Sequence, residues 1–236
     1  QKPDFFLFEN VKGLWRTKRH REFYEKLKNQ LSDAEYIFTE RLINAIEYGA
    51  PQDRDRIILI GLKKNLFKNK ASKAMDDFPW SKFIKFNKKD VFERPWTKTE
   101  DFKAGSIRLI PEDVIEKLTV EHWFKKNDVE NHPNSQHFFQ PRAALPRFQS
   151  IPEGDDSKKS FKRLHRWRYS PTAAYGNNEV HLHPYKARRL SVAEVLAIQS
   201  LPKSFALPND MTLSNQFKAV GNGVPFLAAE AIAGSL

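Results

Sequence analysis

The chain has 236 residues, with 40 lysines and arginines against 29 acidic residues for a formal net charge of +11, and it contains no cysteine. The missing cysteine excludes a disulfide framework, a thiolate metal site and a thiol nucleophile within this polypeptide. At 40% hydrophobic and 29% charged residues the composition excludes disorder throughout, and no run of about 18 uncharged apolar residues is present to span a membrane. The Gln1–Phe8 start also lacks the basic-then-apolar layout of a signal peptide, so a cytosolic setting is expected.

Residues Asp4–Glu9 predict a buried strand, the apolar run Phe5, Phe6, Leu7 and Phe8 being stopped by Glu9 and Asn10. Continuous apolarity of this kind suits a parallel sheet covered on both faces. Over Glu22–Leu31, Phe23, Leu27 and Leu31 recur every four residues, which predicts an amphipathic helix. A β-like run follows at Glu35–Phe38, then a turn at Gly49-Ala50-Pro51 and a third strand, Ile57–Leu62. This order is that of the back half of an open α/β sheet, with the last two strands antiparallel because their connection is short.

From Lys63 to Ala187 periodicity weakens. One helix is predicted at Pro111–Leu118, and Asn131–Asp156, rich in Pro, Asn, Gln and Ser, reads as loops poorly suited to a packed core. Order returns at Leu190–Gln199, where Ser191 and Glu194 form a capping box ahead of Val195, Leu196 and Ile198. Gly221-Asn222-Gly223 reads as a turn entering a terminal apolar helix over Val224–Leu236.

The charge is unevenly spread. Residues 1–64 carry 13 basic and 10 acidic groups, residues 65–190 carry 25 and 16, and residues 191–236 carry 2 and 3. The densest basic run holds Lys158, Lys159, Lys162, Arg163, Arg166 and Arg168, interleaved with Phe161, His165, Trp167 and Tyr169. Such a run could neutralise phosphates while its aromatics stack on bases; it could equally be a solvated lysine-rich surface.

Three further groups of residues carry chemistry. Glu9 ends a buried strand, where open α/β sheets bind ligands, though strand termination alone would also place it there. Gln52, Arg54 and Arg56 alternate onto one face, suited to gripping a carboxylate, phosphate or base edge, or to forming internal salt bridges with Asp53 and Asp55. The pairs His181 with His183 and His132 with His137 lack a completing carboxylate pair or cysteine, so no metal site is expected.

In chain order, Phe8-Glu9-Asn10-Val11 and Tyr48-Gly49-Ala50-Pro51-Gln52-Asp53-Arg54-Asp55-Arg56 closely resemble the Glu-Asn-Val and Gln-x-Arg-x-Arg motifs of DNA cytosine-5 methyltransferases. Arg188-Arg189-Leu190-Ser191-Val192-Ala193-Glu194 with Gln199-Ser200-Leu201-Pro202 resembles that family's late Arg-x-Leu-Ser block, and Gly221-Asn222-Gly223-Val224 its closing Gly-Asn-x-Val motif. Ser170-Pro171-Thr172 and His183-Pro184 also fit sequences seen before the late block.

The resemblance implies an α/β fold: the C-terminal half of a Rossmann-like sheet that binds S-adenosyl-L-methionine, with a smaller, irregular target-recognition domain. The implied division is residues 1–64 for the catalytic part, 65–205 for recognition of double-stranded DNA, and 206–236 for a segment returning to the catalytic part. It further implies that Glu9 holds the N3 and amino edge of a flipped cytosine and that Arg56, with Arg54, grips the base. Asn10, Val11 and Gln52 would line the substrate cavity, Arg163, Arg166, Arg168 and Arg188 would meet DNA, and Asn222, Gly223 and Val224 would lie against the cofactor.

The family's nucleophile is a cysteine in a Pro-Cys pair upstream of Glu-Asn-Val, preceded by a glycine-rich cofactor loop, and this sequence contains neither. The expectation is therefore the C-terminal component of such an enzyme, with an apolar sheet edge completed by an N-terminal fragment or subunit that carries the thiolate. Bacterial DNA modification is the commonest setting for these motifs. The competing expectations are a non-catalytic DNA-binding protein derived from such an enzyme, and an RNA-directed relative.

Overall fold

The computed structural model describes residues 3–67, 70–172, 175 and 180–236. It divides into two compact units, one of Gln1–Asn44, Asp55–Ile84 and Ala231–Leu236, the other of Ala45–Arg54 and Lys85–Glu230.

The first unit is built on three strands, β1 (Phe5–Val11), β2 (Tyr36–Asn44) and β3 (Asp55–Lys63), with helices α1 (Gly13–Arg16), α2 (Lys18–Asp33) and α3 (Ala71–Asp76). The sheet order is β1-β3-β2, and β3 runs antiparallel to both neighbours. The expected strand, helix, strand, strand order and antiparallel last pair are thus both present. One face is covered: Tyr24, Leu27 and Leu31 of α2 pack with Phe6, Phe8, Phe38 and Leu42 over Ile57 and Leu59. Tyr24 donates to Glu40, and Lys28 bridges Glu25 and Glu40 at 2.9 and 3.0 Å, tying the helix to β2. Phe6 faces Gly61 across the strands, and a β-carbon at Gly61 would meet the ring at 2.3 Å, so only glycine lets the phenyl lie over β3 there.

The face carrying Phe5, Leu7, Glu9 and Val11 is different. Phe5, Leu7 and Val11 remain 53%, 45% and 52% exposed, so β1 is buried on one side only, not on both as its continuous apolarity suggested. The reason is position: β1 has one strand neighbour among the described residues, and α2 shields only its other face.

The second unit carries α4 (Lys88–Glu93), α5 (Val120–Lys126), α6 (Leu145–Ser150), α7 (Val192–Ile198), α8 (Leu213–Asn222) and α9 (Phe226–Ala233), the last three residues of α9 grouping with the first unit. Its core gathers Trp123 and Phe124 of α5, Val195, Leu196 and Ile198 of α7, and Phe217 and Val220 of α8. The capping box is formed, Ser191 accepting from the Glu194 N–H while the Glu194 carboxylate accepts from the Ser191 N–H.

Several expectations are corrected. Pro111–Leu118 is not a helix but ends in a single tight turn at Glu116–Leu118; the Asp113 carbonyl accepts from Arg94, and the helix starts only where Thr119 caps His122. Asn131–Asp156, expected to be loops, includes the short helix α6 and contributes to the core, with Phe148, Asn134 and Glu153 fully buried. There the asparagine amide replaces a backbone ladder, Asn134 donating to Leu207 O and accepting from Leu207 N. Gly221 and Asn222 close α8, a helix the sequence pattern did not reveal, before α9 begins. The first unit continues past residue 64 to Ile84, because α3 packs on β2 and β3, and of residues 206–236 only Ala231–Leu236 group with it.

Candidate active site and nucleic-acid interface

In the first unit, Glu9 lies opposite Ile58 and Val11 opposite Arg56, which puts Glu9, Val11 and Arg56 on one sheet face. Arg56 Nε sits 2.6 Å from Glu9 Oε1, and Nη1 donates to the Asp55 carbonyl at 2.8 Å. Burial lowers the Arg56 pKa from its usual value, an effect opposed by Glu9 and Asp55. The Glu9 side chain keeps 26% exposure against 10% for Arg56, so a small ligand can reach the carboxylate while the guanidinium holds it from behind. Asp55 anchors the strand ends, pairing with Lys12 and accepting from Asn44 Nδ2 at 2.8 Å. Asn10 turns its amide oxygen onto the Val11 N–H at 2.8 Å.

Arg54 belongs to the second unit and is 1% exposed. Its Nη2 donates to the carbonyls of Gly221 and Gly223 at 2.6 and 3.0 Å, and its Nη1 lies 3.5 Å from Gln52 Oε1. The buried guanidinium therefore clamps the Gly221-Asn222-Gly223 backbone, which corrects the expectation that Arg54 grips a base. Gln52, also buried, forms a parallel bridge with Ser170, and Thr172 donates to the Asp53 carbonyl, so Ser170-Pro171-Thr172 braces the Gln52–Arg54 segment. Gln199 Nε2 donates to Val220 O at 3.0 Å, and Phe226 N–H donates to Gln199 O at 2.8 Å, fixing the same glycine turn from the other side.

Two cavities in this unit adjoin these residues. One of about 220 Å³ is walled by Leu196, Leu201, Phe205, Val220, Gly223 and Val224, with the buried Gln199 Oε1 lacking a hydrogen-bond partner among the described residues. Another of about 530 Å³ is bordered by Trp96, Tyr169, Arg168, Asp53 and Asp156.

The basic run is largely turned inward. Arg163 Nε donates to Ile151 O at 2.8 Å, and its remaining nitrogens serve the carbonyls of Phe148, His183 and Lys186. Burial lowers its pKa to about 10. Arg166 makes a two-pronged pair with Glu153, at 2.8 and 2.9 Å, and holds Ser106 through backbone and hydroxyl oxygens. These two side chains are 1% and 3% exposed, which corrects the expectation that they present to phosphate. Arg168, half-buried, spends donors on the carbonyls of Thr97 and Gly154. Arg188 pairs with Glu194 at 2.7 and 2.9 Å and so secures the capping box of α7. His181 and His183 are buried within the unit, and the His183 ring accepts from the N–H groups of Tyr185 and Lys186.

A profile of the C-5 cytosine-specific DNA methylase family matches residues 1–236. The chain belongs to that family. It is 60% identical over 234 residues to the type II methyltransferase M.NmeDI of Neisseria meningitidis serogroup C, covering 99% of this chain and 54% of that protein. Against M.XorII of Xanthomonas oryzae pv. oryzae the identity is 27%, covering all of this chain and 58% of the relative. The chain thus spans little more than half the length of these two relatives. In fold it resembles a protein described as a DNA modification methyltransferase encoded within an E. coli prophage, at TM-score 0.61 and 22% identity over 99% of this chain and 69% of that one. Spodoptera frugiperda DNMT2 superposes at TM-score 0.53 and 16% identity, over 98% and 66% of the respective chains.

Enzymes of this family use S-adenosyl-L-methionine. The 220 Å³ cavity beside Gly223 and Val224 fits one wall of a site for it, apolar with a single unsatisfied acceptor at Gln199. Among the described residues no carboxylate lines that cavity to take ribose hydroxyls, so these residues fit part of the cofactor and not all of it.

Proposed function

We propose that this chain is the C-terminal component of a DNA (cytosine-5)-methyltransferase, acting on a cytosine flipped out of double-stranded DNA. The observation that carries the reading is the Glu9–Arg56 pair, a reachable carboxylate backed by a buried guanidinium at the end of β1. Glu9 binds the N3 and amino edge of the base and shares a proton at N3, which offsets negative charge as a thiolate adds at C6. Arg56 keeps that carboxylate oriented and meets the base at O2. Arg54 is a positioning residue that holds the Gly221–Gly223 backbone. Asn222, Gly223 and Val224 would hold S-adenosyl-L-methionine, which supplies the activated methyl group when bound. Asn10, Val11, Gln52, Arg168 and Arg188 support the substrate cavity and the recognition unit.

The nucleophilic cysteine comes from polypeptide outside these 236 residues, as an N-terminal portion or a partner. Three observations favour this: the sequence has no cysteine, β1 presents exposed Phe5, Leu7 and Val11 beside an unpaired edge among the described residues, and both relatives are nearly twice as long. Among the described residues no helix is long and apolar enough to cross a membrane, and a bacterial cytoplasmic setting is proposed.

The test is complementation. The chain is combined with a polypeptide bearing the Pro-Cys segment, duplex DNA and methyl-tritiated S-adenosyl-L-methionine, and label in 5-methylcytosine is expected. A stable, DNA-binding complex that never transfers label supports the non-catalytic alternative, and transfer to structured RNA in place of DNA supports the RNA-directed one.

A further inference from the structure

The second unit holds a cleft of about 530 Å³ that the catalytic reading leaves unused, lined by Lys85, Lys117, His122, Lys126, Phe86 and Trp123. Three lysines border it and, among the described residues, no carboxylate does. None of the three lysines makes an ion pair among the described residues. Of the two acids beside these residues, Glu116 lies 3.5 Å from His122 Nδ1, and Glu121 pairs with Lys125 and accepts from Tyr185.

The lysine backbones are well anchored. The N–H groups of Lys85 and Phe86 both donate to the Glu47 carbonyl, at 2.7 and 3.1 Å, and the Lys117 carbonyl accepts from Trp123 Nε1 at 2.9 Å. Lys126 Nζ sits 4.0 Å over the Trp123 ring, which fixes its ammonium beside the cleft. Gly49, at φ 93°, forms the wall against the Lys85 stem, where a β-carbon would lie 3.6 Å from Cδ. Positive charge gathered in one concavity, with no acid among its described lining residues, is self-repelling until an anion enters.

We propose that this cleft binds phosphate groups of the DNA backbone, as a contact that positions the duplex without reading its sequence. The inference rests on the reading of the protein as one that acts on duplex DNA. Lysine suits this role as a flexible point charge, in contrast to the arginines of the basic run, whose planar groups are spent on carbonyls inside the unit.

The test compares the completed enzyme with its K85A/K117A/K126A variant, measuring duplex affinity across a salt series. Each lost phosphate contact should reduce the slope of log K against log salt by about 0.9, so the triple variant should lose about 1 to 3 in slope. Turnover at saturating DNA and the thermal midpoint should be unchanged. A K64A/K70A/K73A variant removes the same charge from exposed lysines of the first unit and should leave the slope nearly intact. Equal slopes in wild type and cleft variant, or equal losses in both variants, overturn the proposal. Inorganic phosphate bound calorimetrically at the cleft, with an unaltered DNA slope, also overturns it in favour of a free anion. If the wild-type complex binds no duplex at all, the methyltransferase reading itself fails.

Discussion

Two glutamate–arginine pairs invite comparison. Glu9–Arg56 is a single close approach at 2.6 Å, with the carboxylate side chain 26% exposed. Glu153–Arg166 is two-pronged, with side chains 1% and 3% exposed, and the Arg166 backbone N–H adds a third bond to the carboxylate at 3.0 Å. Burial alone would raise the Glu153 pKa, but the Arg166 side-chain and backbone bonds hold it below the usual value. The same two residue types therefore do opposite work. A pair with an open side can trade its contact for a ligand, whereas a saturated, dry pair can only brace, since losing either partner strands a buried charge.

The largest expected effect tests the open pair. In the complemented enzyme, Glu9→Gln should cut turnover by about 10²- to 10⁴-fold with DNA affinity and stability little altered. Equal losses of affinity and turnover would contradict the role given to Glu9. For the closed pair the expectation inverts: Glu153→Gln should cost about 3 to 5 kcal/mol in urea unfolding. A smaller loss would show that water reaches Arg166.

Arg54→Lys removes one donor plane from the glycine turn. It should cost about 1 to 3 kcal/mol and raise the KM for S-adenosyl-L-methionine more than it lowers kcat. An unchanged KM would remove the clamp from the cofactor side of the mechanism.

Acid should separate the two units. Burial pushes the His181 pKa down to about 3 and His165 to about 4, and holds His183 well below its usual value. These rings are neutral when folded and charge when unfolded. Stability is thus full above pH about 6.5 and declines as the pH falls towards their folded values. All three lie in the second unit, so its tryptophans, including Trp123 and Trp167, should report a midpoint lower by several degrees, ~5 °C, at pH 4.5 than at pH 7. A flat profile would mean that these rings accept protons while folded.

The smallest effect is expected at Ile107 and Leu109, which are 95% and 90% exposed on a loop held by Arg166 through Ser106. Changing both to serine should alter unfolding by less than ~0.5 kcal/mol, confirming that the loop is fixed by its polar base and not by its tips.

Much of the fold was legible because local rules sufficed. Apolar runs and alternation marked the three strands, four-residue spacing marked α2, and Ser191 with Glu194 marked the start of α7. Helix α8 escaped because Gly221-Asn222-Gly223 reads as a turn, whereas the helix runs through Gly221 and Asn222, with Gly221 packed close against Tyr175. Glu9 and Arg56 were singled out separately by family motifs, but their pairing came only from the antiparallel register of β1 on β3. The inward turn of Arg163 and Arg166 did not, since a basic run looks the same whether water or carbonyls surround it.

The sequence by itself determined the family, the order of its motifs, the absence of a thiol, and the strand–helix–strand–strand path of the first unit. These depend on residue types and short spacings. Only the tertiary structure decided which charges are available. It buried Arg54, Arg163 and Arg166 against carbonyls and Glu153, and left Glu9 and the lysines of the cleft open. The physical reason is that a guanidinium or ammonium group takes its role from whatever distant chain packs around it, and sequence spacing carries no record of that neighbour.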